Sequence, residues 1–72
     1  MAVSYNRLFH ILVDRKMSNS QLAKDAGISL NIISRLKRDD YISLESIERI
    51  CKTLNCSVDD ILEFINEEVK VK

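Results

Sequence analysis

Seventy-two residues suffice for one domain with a thin core, since a chain this short buries only about 60% of its unfolded surface. With no proline, one glycine and abundant Leu and Ile, the composition favours packed helices and excludes a sheet-rich domain dense in turns. Eleven basic residues balance eleven acidic ones, yet residues 1–39 carry seven basic against three acidic and residues 40–72 four against eight, so one half can offer a basic face to phosphate.

No apolar run approaches the ~20 residues of a membrane span. The opening MAVSYNRLFH lacks a basic segment followed by an apolar one, so a cytoplasmic protein is expected. A first helix is predicted from a Ser4 cap to Lys16, because Tyr5, Leu8, Phe9 and Leu12 give the i, i+3, i+4, i+7 stripe, widened by Ile11. His10 stands alone, with no Cys, His or acidic partner at ligand spacing, and is read as a surface or half-buried histidine.

The stretch SNSQLAKDAGISLNIISRLKR, Ser18 to Arg38, reads as two short helices around a tight corner. Ser18 caps the first, Gln21 completes a Ser-x-x-Gln capping box, and Met17 and Leu22 form a hydrophobic staple. Leu22 and Ala26 share a buried stripe, and the small Ala23 beside them allows a close helix crossing. Gly27 stands where the helix must stop, since it enters the left-handed conformation without a Cβ penalty. Ser29 then caps a second helix, with Ile28 and Ile33 as its staple. Together these are a helix–turn–helix signature.

After a short loop, Asp39-Asp40-Tyr41-Ile42, a fourth helix is predicted with Ser43 as cap, Ile42 and Ile47 as staple and Glu45 in the first turn. Leu44, Ile47, Ile50, Cys51 and Leu54 form its core face, and Asn55 is its left-handed terminal residue. A fifth helix repeats the pattern, with Ser57 as cap, Asp59 and Asp60 in the first turn, and Val58, Ile61, Leu62 and Ile65 as its apolar stripe. Cys51 and Cys56 are off the CxxC spacing and read as small buried thiols, rather than a disulfide or metal ligands. The domain is expected to span 1–66. The tail from Asn66 is either frayed or forms a short strand with Ala2-Val3-Ser4, within one chain or across a dimer.

Small-x-x-Leu-Ala-x-x-x-Gly-Ile-Ser, followed by a polar helix ending Arg-Leu-Lys-Arg, resembles the phage Cro/repressor (XRE) class of DNA-binding domains. The similarity continues through Ser43-Leu44-Glu45, Ile50-Cys51-Lys52-Thr53-Leu54 and Ser57-Val58-Asp59-Asp60-Ile61-Leu62, covering roughly residues 5 to 65. The two ends resemble a subgroup of very short bacterial regulators of this type. The resemblance implies an all-α, five-helix, lambda-repressor-like fold acting as a sequence-specific transcriptional regulator, a homodimer on double-stranded DNA.

Helical geometry and the resemblance select the same recognition residues. With Ile33 and Leu36 buried, Leu30, Asn31, Ser34, Arg35 and Arg38 face outward, and the first four stand at the family's base-reading positions. Asn31 has the side chain that pairs bidentately with adenine, Arg35 can do so with guanine, and Leu30 can touch a thymine methyl. Phosphate is expected at the start of helix two, on the free N–H groups of Asn19 and Ser20, with side chains of Asn19, Ser20, Lys24, Lys37 and Arg38 added. Asp39-Asp40 departs from the family's common Gly, and Leu12 and Lys37 replace a frequent Arg–Glu pair. A rival reading is a protein-interaction module, such as an antitoxin-like partner binder, on which Leu30 and Ile32 would meet a protein groove. One histidine, no Gly-rich phosphate loop and no metal spacing argue against an enzyme, a cofactor or a metal.

Overall fold

The computed structural model describes residues 2–65. In chain order these form β1 (Ala2–Ser4), α1 (Asn6–Asp14), α2 (Asn19–Ala26), α3 (Leu30–Lys37), α4 (Leu44–Leu54), a 3-10 turn (Val58–Asp60) and β2 (Glu63–Ile65). Three helices start as their sequences dictate. The hydroxyls of Ser18, Ser29 and Ser43 accept the backbone N–H groups of Gln21, Ile32 and Ser46 at 3.0, 3.2 and 3.2 Å. The Gln21 side chain does not close the expected box but donates onward to Asp25 Oδ1 at 2.8 Å.

All four helices stop by one device. Lys16, Gly27, Asp39 and Asn55 adopt positive φ of 56°, 72°, 58° and 55°. The next N–H then folds back onto a carbonyl five residues earlier: Met17 to Leu12, Ile28 to Ala23, Asp40 to Arg35 and Cys56 to Cys51, at 2.9–3.0 Å. This is the Schellman loop, which satisfies carbonyls a bare helix end would leave orphaned.

The core runs through every helix. Tyr5, Leu8, Leu22, Leu36, Ile50, Leu54 and Ile61 are its largest fully buried side chains. Each contributes about 1.5–3 kcal/mol of burial relative to exposure. Ala23 is buried, so α2 packs closely against both α3 and α4.

Five expectations are corrected. The fifth helix does not form, so among the described residues there are four α-helices rather than five, and the domain is not purely helical. The Val58, Ile61, Leu62, Ile65 spacing fits a helix, but Ile61 alone is fully buried, while Val58 and Ile65 are exposed. The Ser57 N–H donates to Asp60 Oδ2 at 3.0 Å and holds a single 3-10 turn. The chain then extends and pairs with β1, which would otherwise keep its N–H and C=O groups unpaired.

The pairing is antiparallel, Ala2 opposite Ile65, Val3 opposite Phe64 and Ser4 opposite Glu63. Ser4 is therefore a strand residue rather than a helix cap. Tyr5 occupies that position, and the Ser4 hydroxyl accepts the Asn6 N–H at 3.3 Å. The first helix ends at Asp14, two residues short of the expected Lys16, because Lys16 supplies the left-handed turn. The amino-terminal partner strand was expected, but its mate is Glu63–Ile65; the tail 66–72 lies outside the described residues. The cysteines are corrected too: the thiols expected to be buried are both half-exposed.

Candidate nucleic-acid interface

The site is built on α3. Successive residues of a helix turn by about 100°, so the buried Ile33 and Leu36 define one flank and everything opposite them faces out. Leu30, Asn31, Ser34 and Arg35 are all exposed, as are Lys37 and Arg38. Asn31, Ser34, Arg35 and Arg38 share one side of the cylinder. Asn31 and Arg35 lie one turn apart, about 6 Å along the axis, which suits neighbouring base pairs. Leu30 is 62% exposed at the first helical position, and Ile32 is half-buried against the core at the edge of this face.

Rigidity of that face comes from below. Ile33 and Leu36 anchor α3 in the core, and the left-handed Gly27 sets the corner from α2. Arg49, on α4, reaches the corner: its Nη1 donates to the Gly27 carbonyl at 3.3 Å and its Nη2 to Glu45 Oε2 at 3.1 Å. Sequence reasoning passed over Arg49, because nothing in its neighbourhood marks a residue that packs against a turn twenty-two positions away.

At the far end of α3 the two aspartates that replace the family's glycine are occupied. Asp39 takes the left-handed conformation itself, which Asp tolerates better than most side chains. Its Oδ1 accepts the Tyr5 N–H at 3.1 Å, and the Tyr5 hydroxyl donates to the Asp40 carbonyl at 2.8 Å. The start of α1 is thus fastened to the end of α3. Burial, first, and the nearby Asp39 and Asp40 carboxylates raise the Tyr5 pKa above its ordinary value. Asp40 pairs with Arg38 at 3.0 Å, both well exposed. Arg38 is therefore shared between a carboxylate and solvent, while Lys37 forms no ion pair among the described residues. The expected replacement of a buried ion pair is visible: Leu12 lies in the core and Lys37 outside it.

The phosphate group of candidates lies on α2. Ser18 Oγ takes the Gln21 N–H and the Ser18 carbonyl takes that of Leu22, which leaves Asn19 and Ser20 N–H as free donors at the positive helix end. Ser20 and Lys24 are one turn apart and both exposed; Asn19 is half-buried. The structure thus puts Asn19, Ser20 and Lys24 on α2, and Lys37 and Arg38 at the end of α3. Tyr41, 64% exposed in the loop after α3, adds an accessible hydroxyl that the sequence reading did not single out.

Residues 7–67 match the Cro/C1-type HTH DNA-binding domain family. The chain is 40% identical over 60 residues to YozG, an uncharacterised HTH-type transcriptional regulator of Bacillus subtilis (strain 168), covering 81% of this chain and 71% of that protein. Its fold is similar to the crystal structure of the transcriptional regulator VanUg, with a TM-score of 0.86, 36% identity, and 92% of this chain and 88% of that chain covered.

Proposed function

The chain belongs to the Cro/C1-type helix–turn–helix family of DNA-binding transcriptional regulators, and from that premise we propose that it reads operator DNA as a homodimer, with α3 in the major groove. Asn31 and Arg35 select bases by bidentate hydrogen bonds, Ser34 bonds a base or a phosphate, and Leu30 packs on a thymine methyl. Asn19 and Ser20 hold phosphate at the α2 terminus, with Lys24, Lys37 and Arg38 supplying counter-charge. The observation that carries this reading is the single exposed side of α3 that presents Asn31, Ser34 and Arg35 together above an anchored apolar flank.

A module this small makes few base contacts, so useful affinity requires two copies on half-sites roughly 34 Å apart. Phe64 and Ile65, exposed on β2, are the apolar side chains we assign to the contact between copies. Leu30, 62% exposed, supports a second reading in which α3 meets a protein groove instead.

Fluorescence anisotropy with promoter DNA from the chain's own locus separates the two. The regulator reading predicts two chains per site and an affinity that falls steeply with salt, about 0.9 log units per log unit of salt for each phosphate engaged. Weak binding that ignores salt would overturn it in favour of a protein partner.

A further inference from the structure

Gly27, Ile28 and Ser29 join α2 to α3, and their dihedral angles set the direction in which α3 leaves the corner. Gly27 is left-handed at φ 72° and exposed, and its carbonyl accepts no backbone N–H among the described residues. Water alone would leave that peptide plane free to rock. Ile28, Ile33 and Leu36 are buried, but apolar packing is non-directional: it decides which side of α3 faces out rather than the angle of its first turn. The principal packing runs from α2 to α3 and from α2 to α4. A cleft of about 250 Å³ lies between the corner, the half-buried Ile32 and the α4 residues Glu45 and Ser46.

Arg49 crosses this cleft. It springs from a helix fixed by the buried Ile47, Ile50 and Leu54, and its Nη1 donates to the Gly27 carbonyl at 3.3 Å. Its Nη2 donates to Glu45 Oε2, one turn earlier on α4, at 3.1 Å. Both ends of the guanidinium are engaged, so its planar fork is held against one peptide plane. A swing of about 10° at the corner moves Arg35, roughly 9 Å along α3, by about 1.5 Å. That is enough to break an aligned hydrogen bond.

We infer that Arg49 is a positioning residue for base reading, a brace that fixes, through the Gly27 carbonyl, the angle at which α3 meets DNA. The inference rests on the base-reading proposal above and adds to it a residue that touches no DNA. Arg49 and Glu45 side chains are 49% and 72% exposed, and exposed pairs add little to stability. The brace therefore acts on the direction of α3 and not on whether the domain folds.

Anisotropy titrations of the native chain, Arg49→Ala and Glu45→Gln, on the preferred promoter site and on random DNA of equal length over a salt series, test it. Arg49→Ala should lower the preference for the site about tenfold, the order of one lost bidentate base contact. Its affinity for random DNA should stay within about twofold, its salt slope should not change, and its melting temperature should stay within about 5 °C of native. Glu45→Gln loosens the guanidinium and should lower the preference in the same direction, by less. A direct phosphate contact by Arg49 would instead cut the salt slope by about 0.9, and Glu45→Gln, which removes a negative charge, would tighten both DNAs; either result overturns the brace. So does an Arg49→Ala chain that prefers the site as strongly as the native one, or one that loses helix content. A native chain with no preference between the two DNAs overturns base reading itself, and the brace with it.

Discussion

Asp39 holds two jobs that separate substitutions can pull apart. It occupies a left-handed backbone position at φ 58° and its carboxylate accepts the Tyr5 N–H at 3.1 Å. Asp39→Gly removes the charge-assisted hydrogen bond, at about 1.5 kcal/mol. It also relieves the left-handed strain, a gain that the added freedom of glycine in the unfolded chain roughly cancels, since that freedom costs about 0.5–1 kcal/mol. Asp39→Ala loses the same bond and adds about 1–2 kcal/mol, because a Cβ without a local hydrogen bond is poorly accommodated there. Asp39→Asn keeps both an acceptor and tolerance of the conformation. For a domain of this size 1 kcal/mol shifts the melting temperature by about 4–8 °C. Thermal melts by circular dichroism should therefore order the variants native, Asn, Gly, Ala, with Ala lowest by about 12 °C or more on the same scale. An Ala variant that melts with the native protein, or above the Gly variant, would refute the account of how α3 ends.

Three further outcomes are expected. Tyr5→Phe removes the hydrogen bond to the Asp40 carbonyl and costs about 1 kcal/mol near neutral pH. Because the folded-state pKa of Tyr5 is raised above 10.0, the folded protein holds this proton longer, so its contribution is intact below pH 10 and lost as pH rises through the folded value; denaturant melts across pH 9–12 should show a shallower alkaline loss in the Phe variant. Gly27→Ala costs about 1–2 kcal/mol through its positive φ; its Cβ would also stand 3.2 Å from Arg49 Nη1, the mobile end of a side chain, so adding Arg49→Ala should not restore stability in urea melts. Phe64→Ser, at a 62% exposed position, should leave the melting temperature nearly unchanged, within about 0.5 kcal/mol. Sedimentation should nonetheless show weaker self-association, and an unchanged dimer would remove β2 as the contact.

The helix starts were readable because a serine followed by a staple pair encodes them within five residues. Ser18, Ser29 and Ser43 all cap as expected. The stops were half readable. Gly27 and Asn55 advertise a left-handed residue, whereas Lys16 adopts the same conformation with a side chain that does not mark it, and Asp39 with one that tolerates it but is read first as a loop residue. Lys16 is carried there by Leu12 and Met17 closing the loop around it, and Asp39 by its bond to Tyr5. The fifth helix was misread because periodicity cannot see a partner sixty residues away: Glu63–Ile65 is extended only because Ala2–Ser4 lies beside it. Arg7 reinforces that non-local choice, donating to the Asp59 carbonyl at 2.8 Å and pairing with Glu63 at 3.0 Å. The outward residues of α3 were legible from the buried pair Ile33 and Leu36 alone. That Arg38 would pair with Asp40 was not, because a loop, not a helix, sets their approach.

The central claim is that α3 reads bases directly. Anisotropy titrations of the native chain and of Asn31→Ala plus Arg35→Ala, on the preferred operator and on random DNA of equal length, test it most directly. Each lost bidentate contact should cost about 1–3 kcal/mol on the operator, and random-DNA affinity, set by phosphate contacts, should fall far less. Operator affinity unmoved by both substitutions would contradict the claim.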